Sequence, residues 1–165
     1  MKSVSKLHQS IARLFCVGFD GFSVTDDLLR LLDRGVGGVI LFRRNFQSAL
    51  QIIQLVHEIK RRAGRPILIG VDQEGGRVIR LGSPFSQTPA LRQIGATGNI
   101  QKAELIGQIL GTELRAANID INFAPVMDVD TNPANPVIGQ RSFGNSPELV
   151  SRMGVAMISP LEGSE

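Results

Sequence analysis

The sequence predicts an α/β fold organised on a parallel sheet, and two observations carry that expectation. The first is the stretch Ile67-Leu68-Ile69-Gly70-Val71, entered from Gly64 and Pro66. An apolar run of this length reads as a strand buried on both faces, as strands of parallel sheets are. The second is order along the chain: apolar runs alternate with amphipathic helical segments, and repeated βα units imply a parallel sheet with right-handed crossovers. The pattern fits an open doubly wound sheet or part of a closed barrel. Gly35-Val36-Gly37-Gly38 precedes its strand and lacks the third glycine of a dinucleotide fingerprint, and no Walker A sequence is present. The barrel is therefore favoured over the open nucleotide-binding sheet.

Taken in order, Leu14 to Phe19 reads as the first strand, closed by Asp20-Gly21. Thr25 caps a helix with Asp26 and Asp27 in its first turn; Leu28, Leu31 and Leu32 form its apolar stripe, and Gly35 ends it. Val36 to Phe42 is the second strand. Ser48 opens the next helix, with Ile52, Leu55, Val56 and Ile59 at helical spacing and Gly64 as terminator, before Pro66 starts the third strand. A loop holding Gly82, Ser83, Pro84 and Pro89 leads to a helix from about Asn99 to Asn118, its stripe made of Ala103, Ile106, Leu110, Leu114 and Ala117. Ile119 to Ala124 alternates with period two and gives a fourth strand. A loop rich in Asp, Asn and Pro runs on to Gly144, and Ser146 and Pro147 begin a last helix as N-cap and first helical residue.

Composition bounds the function. At 165 residues the chain suits one domain, burying roughly 70% of its unfolded surface. Apolar residues at 42% and charged residues at 20% are ordinary for a globular protein and argue against disorder. The single cysteine, Cys16, excludes an internal disulfide and, lying in an apolar run, is expected to be buried and inert. No apolar run is long enough to span a bilayer and the N-terminus lacks a signal-peptide core, so a cytoplasmic protein with no membrane partner is expected. The net charge of +3 is modest. Its densest group, Lys60-Arg61-Arg62 with Arg65, ends a helix, where cations complement the dipole. Without interleaved Tyr or Trp, no nucleic-acid partner is expected.

The chemistry concentrates after the third strand, in Asp72-Gln73-Glu74-Gly75-Gly76-Arg77. Ligands of parallel sheets sit beyond the carboxyl ends of the strands, where Asp72 and Glu74 fall. Asp72 either binds a ligand there or bonds its own turn amides. Asp128-Val129-Asp130-Thr131-Asn132 resembles the start of a calcium loop, but Pro133 and Gly139 stand where an EF-hand needs Gly and Glu. Asp130 and Asn132 are expected to stiffen their loop instead. Arg141 lies on a loop at the same end of the sheet as Asp72, so the two are expected to share a pocket. A guanidinium beside a carboxylate can grip hydroxyls; a structural salt bridge is the competing explanation. Neither His8 nor His57 is expected to be catalytic.

Three blocks give the chain a family likeness. Gly70-Val71-Asp72-Gln73-Glu74-Gly75-Gly76-Arg77-Val78, with Arg80 following, resembles the signature of glycoside hydrolase family 3. Asn122 to Val129 and Asn135 to Gly144 resemble its next two blocks, and Gly37 to Phe42 is similar to its second strand. The resemblance spans about residues 10 to 157 in order, leaving 158–165 as an unmatched tail. The form Asp-Gln-Glu-Gly-Gly-Arg is that of the β-N-acetylhexosaminidase branch.

The resemblance implies parallel (β/α) units forming about the first half of a TIM-like barrel, in a single partial domain over residues 1–165. It implies retaining hydrolysis of terminal β-linked N-acetylhexosamine, with no cofactor and no metal. Asp72 would hold the sugar's hydroxyls while Arg80 and Arg141 position it; the partner would be a small N-acetylglucosaminide, peptidoglycan fragments included. The acid/base His and nucleophilic Asp of the family have no counterpart before Glu165, so this chain alone is expected to be inactive. Two alternatives stand beside that reading: a non-catalytic sugar-binding or interaction half-barrel, and a small enzyme holding a metal on Asp72, Asp128 and Asp130. Four parallel strands cut from a barrel leave two sheet edges open, so self-association is expected.

Overall fold

The computed structural model describes residues 2–161, with side chains from 7 to 160. Among them, helices and strands follow in the order α1 (Lys2–Ala12), β1 (Cys16–Val17), α2 (Asp26–Arg34), β2 (Gly38–Leu41), α3 (Ala49–Ala63), β3 (Leu68–Val71), α4 (Leu91–Ala96), α5 (Ile100–Ala116), β4 (Ile121–Asn122) and α6 (Pro147–Leu161). The strands make one sheet in the order β1-β2-β3-β4, every pair parallel.

Local signals fix the first helices. Thr25 Oγ1 accepts from the Leu28 amide at 3.3 Å, and Gly35 closes α2 at φ 93°, a left-handed conformation that suits glycine. Ser48 Oγ caps α3 through the Gln51 amide at 3.2 Å. Leu28 and Leu32 of α2 and Ile52, Leu55, Val56 and Ile59 of α3 are buried, as their spacing predicts.

Register divides the sheet into two unlike faces. Val17, Val39 and Ile69 stand side by side, as do Leu41 and Val71. These point outward into the core beneath α2 and α3, and Val39, Leu41, Ile69 and Val71 are all fully buried. Burial of each such side chain stabilises by about 1.5–3 kcal/mol. The alternate row, Cys16-Gly38-Leu68, lines the concave inner face. Among the described residues Leu68 on this face is 53% exposed. Two sequence expectations are corrected here. Leu68 to Val71 is not buried on both faces, and Cys16 is exposed, because it faces the concave side.

A second core joins α4, α5 and α6 through Leu91, Ile94, Ala103, Leu110, Phe143 and Met153. Glycine permits the close approach: a Cβ on Gly107 of α5 would lie 2.2 Å from the Met157 carbonyl oxygen of α6.

The outer strands are shorter than their apolar runs. β1 keeps only Cys16–Val17, paired with Gly38 and Val39, and β4 only Ile121–Asn122, paired with Gly70 and Val71. The sequence predicts no element before Leu14 or between Leu81 and Asn99, yet α1 and α4 occupy these stretches. α4 has no side-chain cap at Ala90 and carries Gly95 inside it, so nothing local announces it. Gly95 is required by tertiary packing, since a Cβ there would sit 1.8 Å from the Phe143 carbonyl oxygen.

The basic group at the end of α3 is committed within the fold. Lys60 Nζ donates to Asn118 Oδ1 at 2.9 Å and Asp120 Oδ1 at 2.8 Å, and Arg65 donates to the Val36 carbonyl at 2.7 Å. Arg61 and then Arg62 hydrogen-bond Glu58 and hold its carboxyl down at about 2. Among the described residues no helix is long and apolar enough to cross a membrane.

The glycine contact between α5 and α6 is testable. Gly107→Ala should cost ~2 kcal/mol through overpacking, lowering Tm by roughly 4–8 °C for a domain of this size. Gln108→Ala, on the exposed side of α5, should leave the melt within the ordinary surface range. Equal melts for the two variants would mean that the helices pack less closely than described.

Candidate functional site

The parity of β3 builds the site. Gly70 lies in the inner row opposite Ile121, so Asp72, two residues on, continues that row at the carboxyl end of the strand. Gln73 takes the opposite side and is buried. Its Oε1 accepts from the Arg80 amide at 2.9 Å and the Leu81 amide at 3.0 Å, and its Nε2 donates to the Leu81 carbonyl at 3.2 Å. Asn122 of β4 grips the Gln73 backbone from the other side, Oδ1 accepting from its amide at 2.9 Å and Nδ2 donating to its carbonyl at 3.1 Å. One side chain thus ties the loop after β3 back onto the strand end.

That clamp delivers Arg80 to Asp72. Arg80 Nη2 donates to Asp72 Oδ2 at 3.0 Å, both side chains keeping partial access to solvent. The guanidinium carbon lies 5.7 Å from the centre of the Phe42 ring, beyond the end of β2. Arg80 Nε is buried and has no hydrogen-bond partner among the described residues. A buried donor left so is uncommon and is found at functional or strained positions.

Next to this pair stands a second. Arg141 Nε donates to Glu74 Oε2 at 2.8 Å and its Nη2 to Glu74 Oε1 at 2.7 Å, a fork-to-fork arrangement. Glu74 is only 4% exposed. The hydrogen bonds to Glu74 push the Arg141 pKa above its ordinary value against the effect of burial; the charge of Glu74 adds to this, followed by those of Asp72 and Asp128. Arg141 therefore stays cationic and lies within electrostatic reach of Asp72. Gly75 and Gly76, at φ 100° and 56°, carry the backbone between the two pairs. A Cβ on Gly75 would meet the Pro89 carbonyl oxygen at 2.5 Å, so only glycine passes there. Arg77 braces the facing loop by donating to the carbonyls of Pro136 and Val137.

The structure thus brings the three sequence-predicted residues, Asp72, Arg80 and Arg141, to one end of the sheet, but partners them unexpectedly. Arg141 bonds Glu74, and Asp72 bonds Arg80. Sequence reasoning quoted Glu74, Gln73 and Asn122 within its motif blocks without giving any of them a role. The signal for Gln73 and Asn122 was a polar residue in the outward row next to a buried strand, where an unpaired amide is costly. Asn132 Oδ1 accepts from the Ala134 amide at 3.0 Å, the loop-stiffening role expected of it, whereas Asp130 pairs with the Arg92 side chain of α4 rather than with a loop amide. Among the described residues no three His, Cys, Asp or Glu side chains are grouped to hold a metal ion.

Four parallel βα units with charged side chains gathered at the carboxyl ends of the strands define part of a (β/α) barrel domain. Residues 7–165 match the glycosyl hydrolase family 3 N terminal domain, and the chain belongs to that family. It is 45% identical over 140 residues to a β-hexosaminidase of Neisseria meningitidis serogroup C, which covers 81% of this chain and 38% of the relative. A β-N-acetylglucosaminidase of this family from Paenibacillus sp. superposes with a TM-score of 0.92 at 40% identity, covering 94% of this chain and 31% of that one. NagZ from Neisseria gonorrhoeae, solved with N-trifluoroacetyl-D-glucosamine, gives a TM-score of 0.81 at 40% identity, over 88% of this chain and 45% of the other. The chain therefore spans less than half the length of each of these relatives.

The clamp can be tested without a ligand. Gln73→Ala strands the buried Leu81 amide, at about 1–3 kcal/mol, and the part-buried Arg80 amide. Urea unfolding should show a stability loss of ~2 kcal/mol or more with an unchanged m-value. A variant as stable as the parent would show that Gln73 does not hold the Arg80 segment.

Proposed function

We propose that this chain is the sugar-gripping portion of a β-N-acetylhexosaminidase and does not itself carry the catalytic pair. The observation that supports it is the Asp72–Arg80 pair at the mouth of the sheet, with the Arg141 cation beside it. A carboxylate accepts hydrogen bonds from two adjacent hydroxyls while a guanidinium donates to ring substituents, the complement that a sugar presents. Asp72 and Arg80 keep solvent access, so they can exchange part of their mutual bonding for a ligand. Arg141 offers its remaining donors, with its other edge held by Glu74. The likeness to relatives named for β-hexosaminidase activity supports an N-acetylglucosaminide as the ligand.

Retaining hydrolysis needs a nucleophile at the anomeric carbon and an acid/base at the leaving oxygen, typically carboxyls about 5 Å apart. Neither acidic residue of the Asp72 block suits these roles. Glu74 is buried and bonded through both oxygens, and Asp72 is already bonded to Arg80. Loss of an acid/base alone removes a factor on the order of 10²–10⁴ in rate, and loss of the nucleophile leaves no covalent route. Residues 1–165 are accordingly read as one partial domain of the family.

The expected result is that the pure chain releases no p-nitrophenol from p-nitrophenyl β-N-acetylglucosaminide. In saturation-transfer NMR it should nevertheless show contact with N-acetylglucosamine that Asp72→Asn abolishes. In a longer relative bearing the same block, substitution at the position matching Asp72 should lower kcat/KM by roughly 10- to 100-fold, the worth of one charged hydrogen bond. Turnover by the 165-residue chain that vanishes in Asp72→Asn or Glu74→Gln would overturn the proposal and make those carboxylates the catalytic pair.

A further inference from the structure

We propose that Phe42 is a positioning residue of the sugar grip, its ring holding Arg80 so that the guanidinium presents its Nη edge to Asp72 and to a ligand. The inference rests on the sugar-binding reading proposed above, and every contact it uses lies within this chain. Ile40 of β2 stands opposite Gly70 of β3 in the inner row. Phe42 and Asp72, each two residues on, therefore continue that row side by side at the carboxyl ends of the strands.

Arg80 reaches this ring from the loop after β3. Its guanidinium carbon lies over the Phe42 ring, 5.7 Å from the centroid, while Nη2 bonds Asp72 at 3.0 Å. Nε is already enclosed by residues of this chain and has no hydrogen-bond partner among the described residues. A buried donor without an acceptor disfavours this placement of the side chain. The negative face of an aromatic ring attracts the cation, a compensation that an aliphatic side chain does not supply. Without the ring, the guanidinium would gain by turning Nε toward water or toward Asp72, and its Nη edge would leave the mouth of the sheet.

The ring is itself fixed from the β1 side. Asn45 is fully buried; its Oδ1 accepts from the Phe42 amide at 2.9 Å, and its Nδ2 donates to the carbonyls of Phe19 at 3.1 Å and Gly21 at 2.9 Å. Arg44 lies over the same ring at 4.5 Å, its Nε donating to the Phe19 carbonyl at 3.0 Å and its charge paired with Asp20. A Cβ on Gly18, just after β1, would come within 3.1 Å of Phe42 Cε2 and 3.3 Å of Arg44 Nη2. Ring and guanidinium thus fill the space that the glycine leaves. These contacts hold the ring in place, and Arg80 follows it. The loop after β1, which carries none of the gripping groups, acts on the grip through Asn45, Arg44 and Phe42.

Side-chain ¹⁵N spectra and a saturation-transfer titration with N-acetylglucosamine test the proposal on the 165-residue chain. Shielded by the ring, the Arg80 Nε–H should resonate upfield of that of exposed Arg34. Phe42→Leu, which keeps an apolar side chain and removes the ring, should return the signal to the Arg34 position. It should also weaken sugar binding roughly 3- to 10-fold, the worth of one cation–π contact. Phe42→Tyr should retain both the shift and the binding, and Phe22→Leu, at a half-exposed ring in the loop after β1, should change neither. An Arg80 signal unmoved in Phe42→Leu, or one that moves while sugar affinity holds, would overturn the proposal. If the parent chain binds no sugar, the sugar-gripping reading fails, and the Arg80 signal alone decides whether Phe42 positions it. If Phe42→Leu loses its helical circular dichroism, the upfield signal in the parent chain and its retention in Phe42→Tyr decide.

Discussion

A parallel strand has two faces, and among the described residues the helices α2 and α3 pack against one face of β3. Most of the molecule's organisation depends on that alternation along β3. Ile69 and Val71 face outward, where α2 and α3 seal them; Gly70 and Asp72 face inward. Had β3 slipped by one residue, its aliphatic side chains would turn to the inner side and Asp72 toward the helices. The pairing Gly38↔Leu68 through Leu41↔Val71 holds the register over the length of β3. At the end of the strand Asn122 holds the Gln73 backbone, and Asp120 Oδ2 accepts from the Ile69 amide at 2.8 Å near its start. The stability of the outer face thereby places the chemistry on the inner one.

The two ion pairs at the mouth are not equivalent. Glu74 is buried, so its charge is tolerable only because Arg141 meets it with two parallel bonds. Breaking that pair would leave a stranded carboxylate. Asp72–Arg80 is a single bond between partly exposed groups and is worth much less to the fold. The difference suits a division of labour in which one pair is scaffold and the other is free to exchange partners. Arg141 belongs to both, since Glu74 fixes one edge of it while the Asp72 and Asp128 charges act on it from elsewhere.

Much of this was legible in the sequence wherever the cause is local. Thr25, Gly35 and Ser48 mark helix ends through bonds to residues a few positions away, and Gly64 through a left-handed φ of 61°. The position of Asp72 at a strand end was equally readable. Which face of a uniformly apolar strand is covered was not, because Leu68 and Ile69 are chemically alike and only packing separates them. α4 escaped notice because Gly95 is fitted to Phe143, far along the chain. The partnering of Glu74 with Arg141 spans 67 residues, and no spacing rule reaches that far. Where two carboxylates and two guanidiniums meet, sequence names the groups and only the fold assigns the pairs.

The account turns on Arg141 being held by Glu74 independently of Asp72, and exchange of the arginine Nε–H with solvent measures that most directly. In ¹⁵N spectra of the ligand-free chain, the Arg141 Nε–H should exchange slowly compared with that of exposed Arg43. It should stay slow in Asp72→Asn and become fast in Glu74→Gln. If Arg141 exchanges as fast as Arg43 in the parent chain, or is released by Asp72→Asn and untouched by Glu74→Gln, the assignment of scaffold and gripping pair is wrong.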